Sequence, residues 1–116
     1  MHKTATHLDT HALSSCIEAC SECHEICEYM IFQHCLKLGG KHVEPGHLTL
    51  MRDCAQICQT SADFMIRGSL RHALTCKVCA EICEACADDC ERIGDMDECV
   101  RACRQCAKSC REMAAA

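Results

Sequence analysis

The sequence predicts an all-α protein: an antiparallel, up-down-up-down four-helix bundle with a cysteine-lined core. Three observations carry this expectation. The 116 residues hold one proline and five glycines, and these breakers gather at three points along the chain. Between them, cysteine, methionine and histidine recur at alternating steps of three and four, the period of a helix face packed in a bundle. The connections are too short to join anything but antiparallel neighbours. The length suits one domain spanning residues 1–116.

The elements follow in order. A first helix is expected over residues 8–38 and stops at Gly39 and Gly40. Pro45, suited to a first helical turn, opens the second, expected over 45–67. Gly68 serves as its left-handed stop and Ser69 as the N-cap of the third, expected over 69–93. Gly94 ends the third in the same way. Asp95, with Glu98 three residues on, forms a capping-box-like start for the fourth, expected over 95–112.

The bundle period picks out one seam on each helix. The first seam is Cys16, Cys20, Cys23, Cys27, Met30 and His34; the second is His47, Met51, Cys54, Cys58, Ser61 and Met65. The third is His72, Cys76, Cys79, Cys83, Cys86 and Cys90; the fourth is Met96, Cys99, Cys103, Cys106, Cys110 and Met113. Of the sixteen cysteines only Cys35 misses the seam. Such positions are normally Leu, Ile or Val. Here the aliphatics sit beside the seam, at Ile17, Ile26, Leu50, Ile57, Phe64, Ile82 and Val100, while Ala73, Ala80, Ala87 and Ala107 allow close helix approach. One seam cysteine alone would read as a small buried hydrophobe. A whole axis of thiols does not, because Ala, Val or Leu would do that work without the oxidation risk.

Composition narrows the class further. A formal charge of −5 with mixed signs argues against nucleic acid, and the basic residues of VRACRQCAKSCRE read as one solvated face. No apolar run is long enough to span a membrane. The opening MHKTATHLDTHALSSC has no apolar run and no twin arginine, so the chain is read as cytosolic with reduced thiols. No enzyme constellation competes. A di-iron bundle needs two inward Glu-x-x-His motifs, and only Glu44 to His47 fits that spacing. Ser61 has no acid partner and reads as a spacer.

Thiols at helical spacing suit a soft metal. Seam neighbours have Cβ atoms about 5–6 Å apart, wide for a disulfide. A two-coordinate ion with bonds of about 2.3 Å spans roughly 4.5 Å. CxxxC pairs such as Cys79 and Cys83, and CxxC pairs such as Cys76 and Cys79, could therefore clamp an ion within one helix. Softness points to Cu(I). Charge agrees, because one Cu(I) per thiolate gives a neutral core, whereas four thiolates around each Zn(II) leave a surplus of two negative charges. Iron–sulfur ligation fits less well, since no set of four cysteines is singled out. Zinc or cadmium sequestration and a thiol redox buffer remain the alternatives.

CIEACSECHEIC, CAQIC, CKVCAEICEACADDC and CVRACRQCAKSC each lie on their own expected helix. Together they make the chain resemble the bacterial copper-storage proteins, in the branch that lacks an export signal. The resemblance implies a homotetramer of four-helix bundles, each storing many Cu(I) ions along its core with no catalytic turnover. Possible partners are proteins that donate or accept copper. The second helix offers only Cys54 and Cys58, with Ser61 and Met65 where further thiols could sit.

Antiparallel order sorts the other soft ligands by end. Met30, His34, His47, Met51 and Met96 gather at the end holding the first loop, where weaker ligands suit metal entry. Met65, His72 and Met113 gather at the other, and Cys35 is a further possible ligand off the seam. His2, His7, His11, His24 and His42 read as surface residues. Tyr29, Phe32 and Leu36 fall on the outer face of the first helix, where subunit contact explains them best.

Overall fold

The computed structural model describes residues 3–115, with side chains from residue 10 onward. Its four long helices are α1 (Lys3–Met30), α2 (Pro45–Ile66), α3 (His72–Ile93) and α4 (Asp97–Ala115). α1 runs on through one π-helical turn, Ile31–Cys35, and a last α turn, Leu36–Leu38. A 3-10 turn, Gly40–Val43, leads to α2. α1 packs against α2 and α4, and α3 packs against the same two, so the helices close a ring around a single axis. The expected four-helix bundle is the fold.

Glycine sets the turns. Gly39 has φ +71° and donates its N–H to the Cys35 carbonyl at 3.0 Å. Gly68, at φ +69°, bonds the Met65 carbonyl while Ser69 N–H reaches back to Phe64, the paired bonds of a Schellman stop. A side chain at Gly68 would meet open space, so backbone conformation alone selects glycine there.

Three expected helix starts move. α3 begins at His72 instead of Ser69, because the chain leaves Gly68 through a tight turn. Ser69 Oγ accepts the N–H of Arg71 and thus caps that turn instead of the helix. α4 begins at Asp97 instead of Asp95. Asp95 adopts φ +56°, a left-handed conformation that Asp tolerates better than most residues. That reversal carries Met96 into the core, and its carbonyl accepts the first helical bond, from Val100, at 3.0 Å. The predicted capping box of Asp95 and Glu98 therefore does not form. α1 already runs from Lys3, ahead of the expected start at residue 8.

The core is the seam. Every cysteine is 0–1% exposed, and Met51, Met65, Met96 and Ile93 are buried with them. Leu13, Ile17, Ile26, Leu48, Leu50, Ile57, Ile82 and Val100 pack around it, partly buried, as flanking positions should. Outside, Arg104 of α4 meets Glu84, Asp88 and Glu91 of α3 at 2.6–3.3 Å. Such exposed pairs set helix register more than they add stability.

Candidate metal centre

All sixteen cysteines are free thiols and all are buried. In four sets the sulfurs lie within 4.8 Å of one another: Cys20, Cys79, Cys106 and Cys110; Cys23, Cys54, Cys58 and Cys83; Cys23, Cys27, Cys54 and Cys103; and Cys58, Cys79, Cys83 and Cys106. Cys16, Cys76 and Cys110 form a triad towards the α2–α3 turn. Each set of four draws on three helices. Sulfur contacts of 3.5–3.9 Å run within the sets, as from Cys20 to Cys110 and from Cys58 to Cys83, and shared thiols such as Cys54, Cys58 and Cys79 join one set to the next. A three-coordinate ion with bonds of about 2.3 Å needs sulfurs about 4 Å apart, so modest rearrangement admits one.

The CxxxC pairs expected as clamps, Cys23 and Cys27, Cys54 and Cys58, Cys79 and Cys83, and Cys106 and Cys110, each keep their sulfurs within 4.8 Å, while most of the direct sulfur contacts cross between helices. Among the described residues, Cys79–Cys83, at 3.8 Å, is the one sulfur–sulfur hydrogen-bonding contact inside a helix. The others cross between helices, because seam side chains point at the axis and meet the facing seam before their own neighbour.

Burial and crowding govern the protons. Burial, with Cys99 adding to it, pushes the Cys35 thiol up to about 11. Hydrogen bonding with Cys106 and Cys110 holds the proton on Cys20 and raises it strongly, and burial acts the same way. Cys106 moves the other way, down to about 7, because Cys110 and Cys20 stabilise its thiolate. Proton affinity thus alternates along the network, raised on some thiols and lowered on the neighbours that receive their hydrogen bonds.

At the end holding the first loop, the structure corrects the seam. Cys35, predicted to miss it, is fully buried, and His34, predicted to lie on it, sits outside. The π-helical turn is the cause: five residues fill a turn where α-helix would use about four, and the next inward position passes from 34 to 35. His34 Nε2–H instead donates to the Asp95 carbonyl at 2.7 Å, and its ring stands edge-on to His42. The Cys35 sulfur lies 3.6 Å from His47 Nε2 and 3.8 Å from Met96 Sδ. Met51 Sδ lies deeper, 3.7 Å from Cys86 and 3.5 Å from Cys90. Met30 is 7% exposed.

His47 is buried, and its Nδ1–H donates to Asp89 Oδ2 at 2.7 Å. Burial works against the Asp89 carboxylate, yet hydrogen bonds from His47 and Arg92 hold it below its ordinary value. Sequence reasoning missed Asp89. It lies one step off the seam, beside Cys90, and its pairing with a residue 42 positions away has no local signal.

At the opposite end Met65 Sδ is 3.8 Å from Cys76, and Met113 is buried. His72, expected on the seam, is partly exposed, with its Nδ1–H on the Ser69 carbonyl. Ser61 is buried 3.4 Å from both Thr75 Oγ1 and Cys76, a satisfied hydroxyl as a spacer should be. Of the histidines read as surface residues, His11 is exposed, while His24 and His42 are partly buried on the backbone carbonyls of Ala55 and Gly94. His2 and the His7 side chain lie outside the described residues.

Comparison with known proteins agrees with this geometry. A family model described as copper storage protein, Csp, matches residues 9–115. A crystal structure of a Nitrosospira multiformis protein superposes with a TM-score of 0.90 at 55% identity, covering 91% of this chain and 97% of that one. The Cu(I)-bound copper storage protein BsCsp3 gives a TM-score of 0.82 at 36% identity, covering 89% and 98%. The apo form of copper storage protein 3 from Bacillus subtilis gives 0.73 at 37%, covering 87% and 97%. An uncharacterized cysteine-rich protein, YhjQ, of Bacillus subtilis is 39% identical over 68 residues, or 59% of this chain and 62% of that relative's length.

Proposed function

The chain belongs to the copper storage protein family, and on that premise we propose that it stores many Cu(I) ions as thiolate complexes along its core. One observation carries the reading: overlapping sets of buried, free thiols form a continuous path through the bundle. Softness favours Cu(I) for such a path, and neutrality favours one ion per thiolate. The ligands we assign are the seam cysteines together with Cys35, whose burial beside His47 and Met96 supports including it. Storage asks for no turnover, so we read the chain as a non-enzyme acting as one unit. Free thiols in this number suit a reducing compartment, which supports a cytosolic location. No helix among the described residues is long and apolar enough to cross a membrane. Tyr29, Phe32 and Leu36, exposed on α1 and its end, support assembly into a homo-oligomer such as a tetramer.

The test is to purify the protein under anaerobic conditions from copper-supplemented cells and to count metals and free thiols by mass spectrometry. We expect many copper ions and no disulfides. A stable complement of zinc, or disulfides that exchange with a thiol reductant, would replace the storage reading by zinc sequestration or redox buffering.

Copper enters, on this reading, at the end bearing Met30, His34, His47, Met51 and Met96. A surface cleft of about 330 Å³ opens there, lined by Tyr29, Met30, Gln33, His34, Asp95, Asp97 and Glu98. Its carboxylates attract cations, and Met30 is the soft ligand nearest the surface. Replacing His34, His47 and Met51 by Leu should slow the loading of Cu(I) from a donor complex, while replacing Met65, His72 and Met113 by Leu should not. Equal slowing in both variants would move the port elsewhere.

A further inference from the structure

His47 is a buried imidazole whose two nitrogens face different partners. Nδ1–H is on the Asp89 carboxylate at 2.7 Å, and Nε2 faces the Cys35 sulfur at 3.6 Å. A carboxylate only accepts, so the proton sits on Nδ1 and the Nε2 lone pair is turned inward. Asp89 is fixed in turn. Arg92 approaches its other oxygen at 2.9 Å and reaches Glu44, the residue before α2, at 3.0 Å. The chain of contacts therefore ties the start of α2 to the end of α3 and aims one imidazole nitrogen at the core.

The Cys35 corner differs from the rest of the path. Its hydrogen-bonding neighbours are an imidazole and a thioether, with Met96 Sδ at 3.8 Å, whereas the interior sets contain only thiols. With bonds of about 2.0 Å to nitrogen and about 2.3 Å to sulfur, by analogy with zinc, both separations correspond to ligand–metal–ligand angles of about 110–115°. An ion would fit between these atoms with little movement. One thiolate balances one Cu(I), and the Cys35 proton leaves to solvent as the ion arrives.

We propose that Asp89 is a positioning residue, which holds His47 in one tautomer so that Nε2 joins Cys35 and Met96 as the ligands of a single exchangeable Cu(I) ion at this end of the bundle. The proposal rests on the copper-storage reading and adds a distinct station to it. With one thiolate instead of several, this station gives up its ion before the interior does. Removing an outer partner of a metal-binding His commonly costs about 10- to 100-fold in metal affinity. The loss should appear as faster release of one ion and leave the interior ions at their own rates.

The experiment combines a spectrum with a rate. In ¹⁵N-labelled apo protein, the His47 ring should show a protonated Nδ1, and its Nε2 resonance should move when Cu(I) is added. With a Cu(I) chelator in excess, the fast phase of removal, about one ion, should speed up about 10- to 100-fold in Asp89→Asn. His47→Gln should speed it similarly, and adding Asp89→Asn to His47→Gln should then change nothing more, because both act through the same ligand. Circular dichroism confirms that each variant is folded before its rates are read. An Nε2 resonance unmoved at full copper loading would overturn the proposal. So would wild-type release from Asp89→Asn, or a further acceleration in the double variant. Failure of the storage reading itself is distinguishable, since it would show as saturation at a few ions in the wild-type protein.

Discussion

Anaerobic titration of the reduced protein with Cu(I) is expected to continue to about sixteen ions per chain, one for each buried cysteine. The number follows from charge. A lone ion moved into a low-dielectric interior costs on the order of 20 kcal/mol before relaxation, so the core fills only as far as each thiolate is matched. It also follows from geometry, because Cys35 has come onto the axis with the other thiols. Replacing Cys54 and Cys83 by Ala removes two sulfurs 3.6 Å apart, each shared between two sets of four. Capacity should fall by at least two ions, with the apo protein still helical by circular dichroism, since protonated thiols pack as small hydrophobes. Acid should weaken loading. The Cys35 thiol, pushed up to about 11, carries its proton at neutral pH, and each ion must displace such a proton. Saturation near four ions would point instead to closed four-thiolate sites of the zinc kind.

Replacing Met51 by Ala should be the costliest single substitution for folding, about 2–5 kcal/mol in the metal-free protein. Met51 is fully buried and its sulfur touches Cys86 and Cys90, so truncation opens a cavity between α2 and α3. The surrounding thiols are short and cannot collapse into the gap. Thermal unfolding of the apo protein should move down by roughly 10 °C. Leu70→Ala is the control: Leu70 is 92% exposed in the α2–α3 turn, and its loss should stay within about 0.5 kcal/mol. Equal midpoints for the two variants would mean that the thiol core does not carry the stability.

Much of this was legible in the sequence, for a physical reason. The seam is written in a residue type rare enough to stand out against any helix, so the period of three and four was visible without knowledge of the packing. The ring of helices and the inward thiols follow from that period. Three features were hidden. The starts of α3 and α4 depend on how the chain leaves Gly68 and Gly94, and Asp95 in a left-handed conformation is a local choice that its type permits but does not dictate. Asp89 meets His47 across two helices, and only the finished bundle brings them together. The exchange of His34 for Cys35 depends on a hydrogen-bonding pattern that no spacing rule anticipates. The hint was Cys35 itself, a thiol one residue away from a seam made of thiols.

The π-helical turn holds one residue more than an α-helical turn would. Each residue advances an α-helix by about 100°, so one surplus residue would rotate everything after it off the axis. The turn at Ile31–Cys35 absorbs the surplus locally: Phe32, Gln33 and His34 face outward, Cys35 reaches the axis, and the chain still arrives at Gly39 in place. Losing one of those three outward residues would put the thiol four positions after Met30, where plain α-helix already points inward. Removing one of these residues should therefore keep the same corner ligand, whereas removing one a turn earlier, beside Cys27, should break the seam.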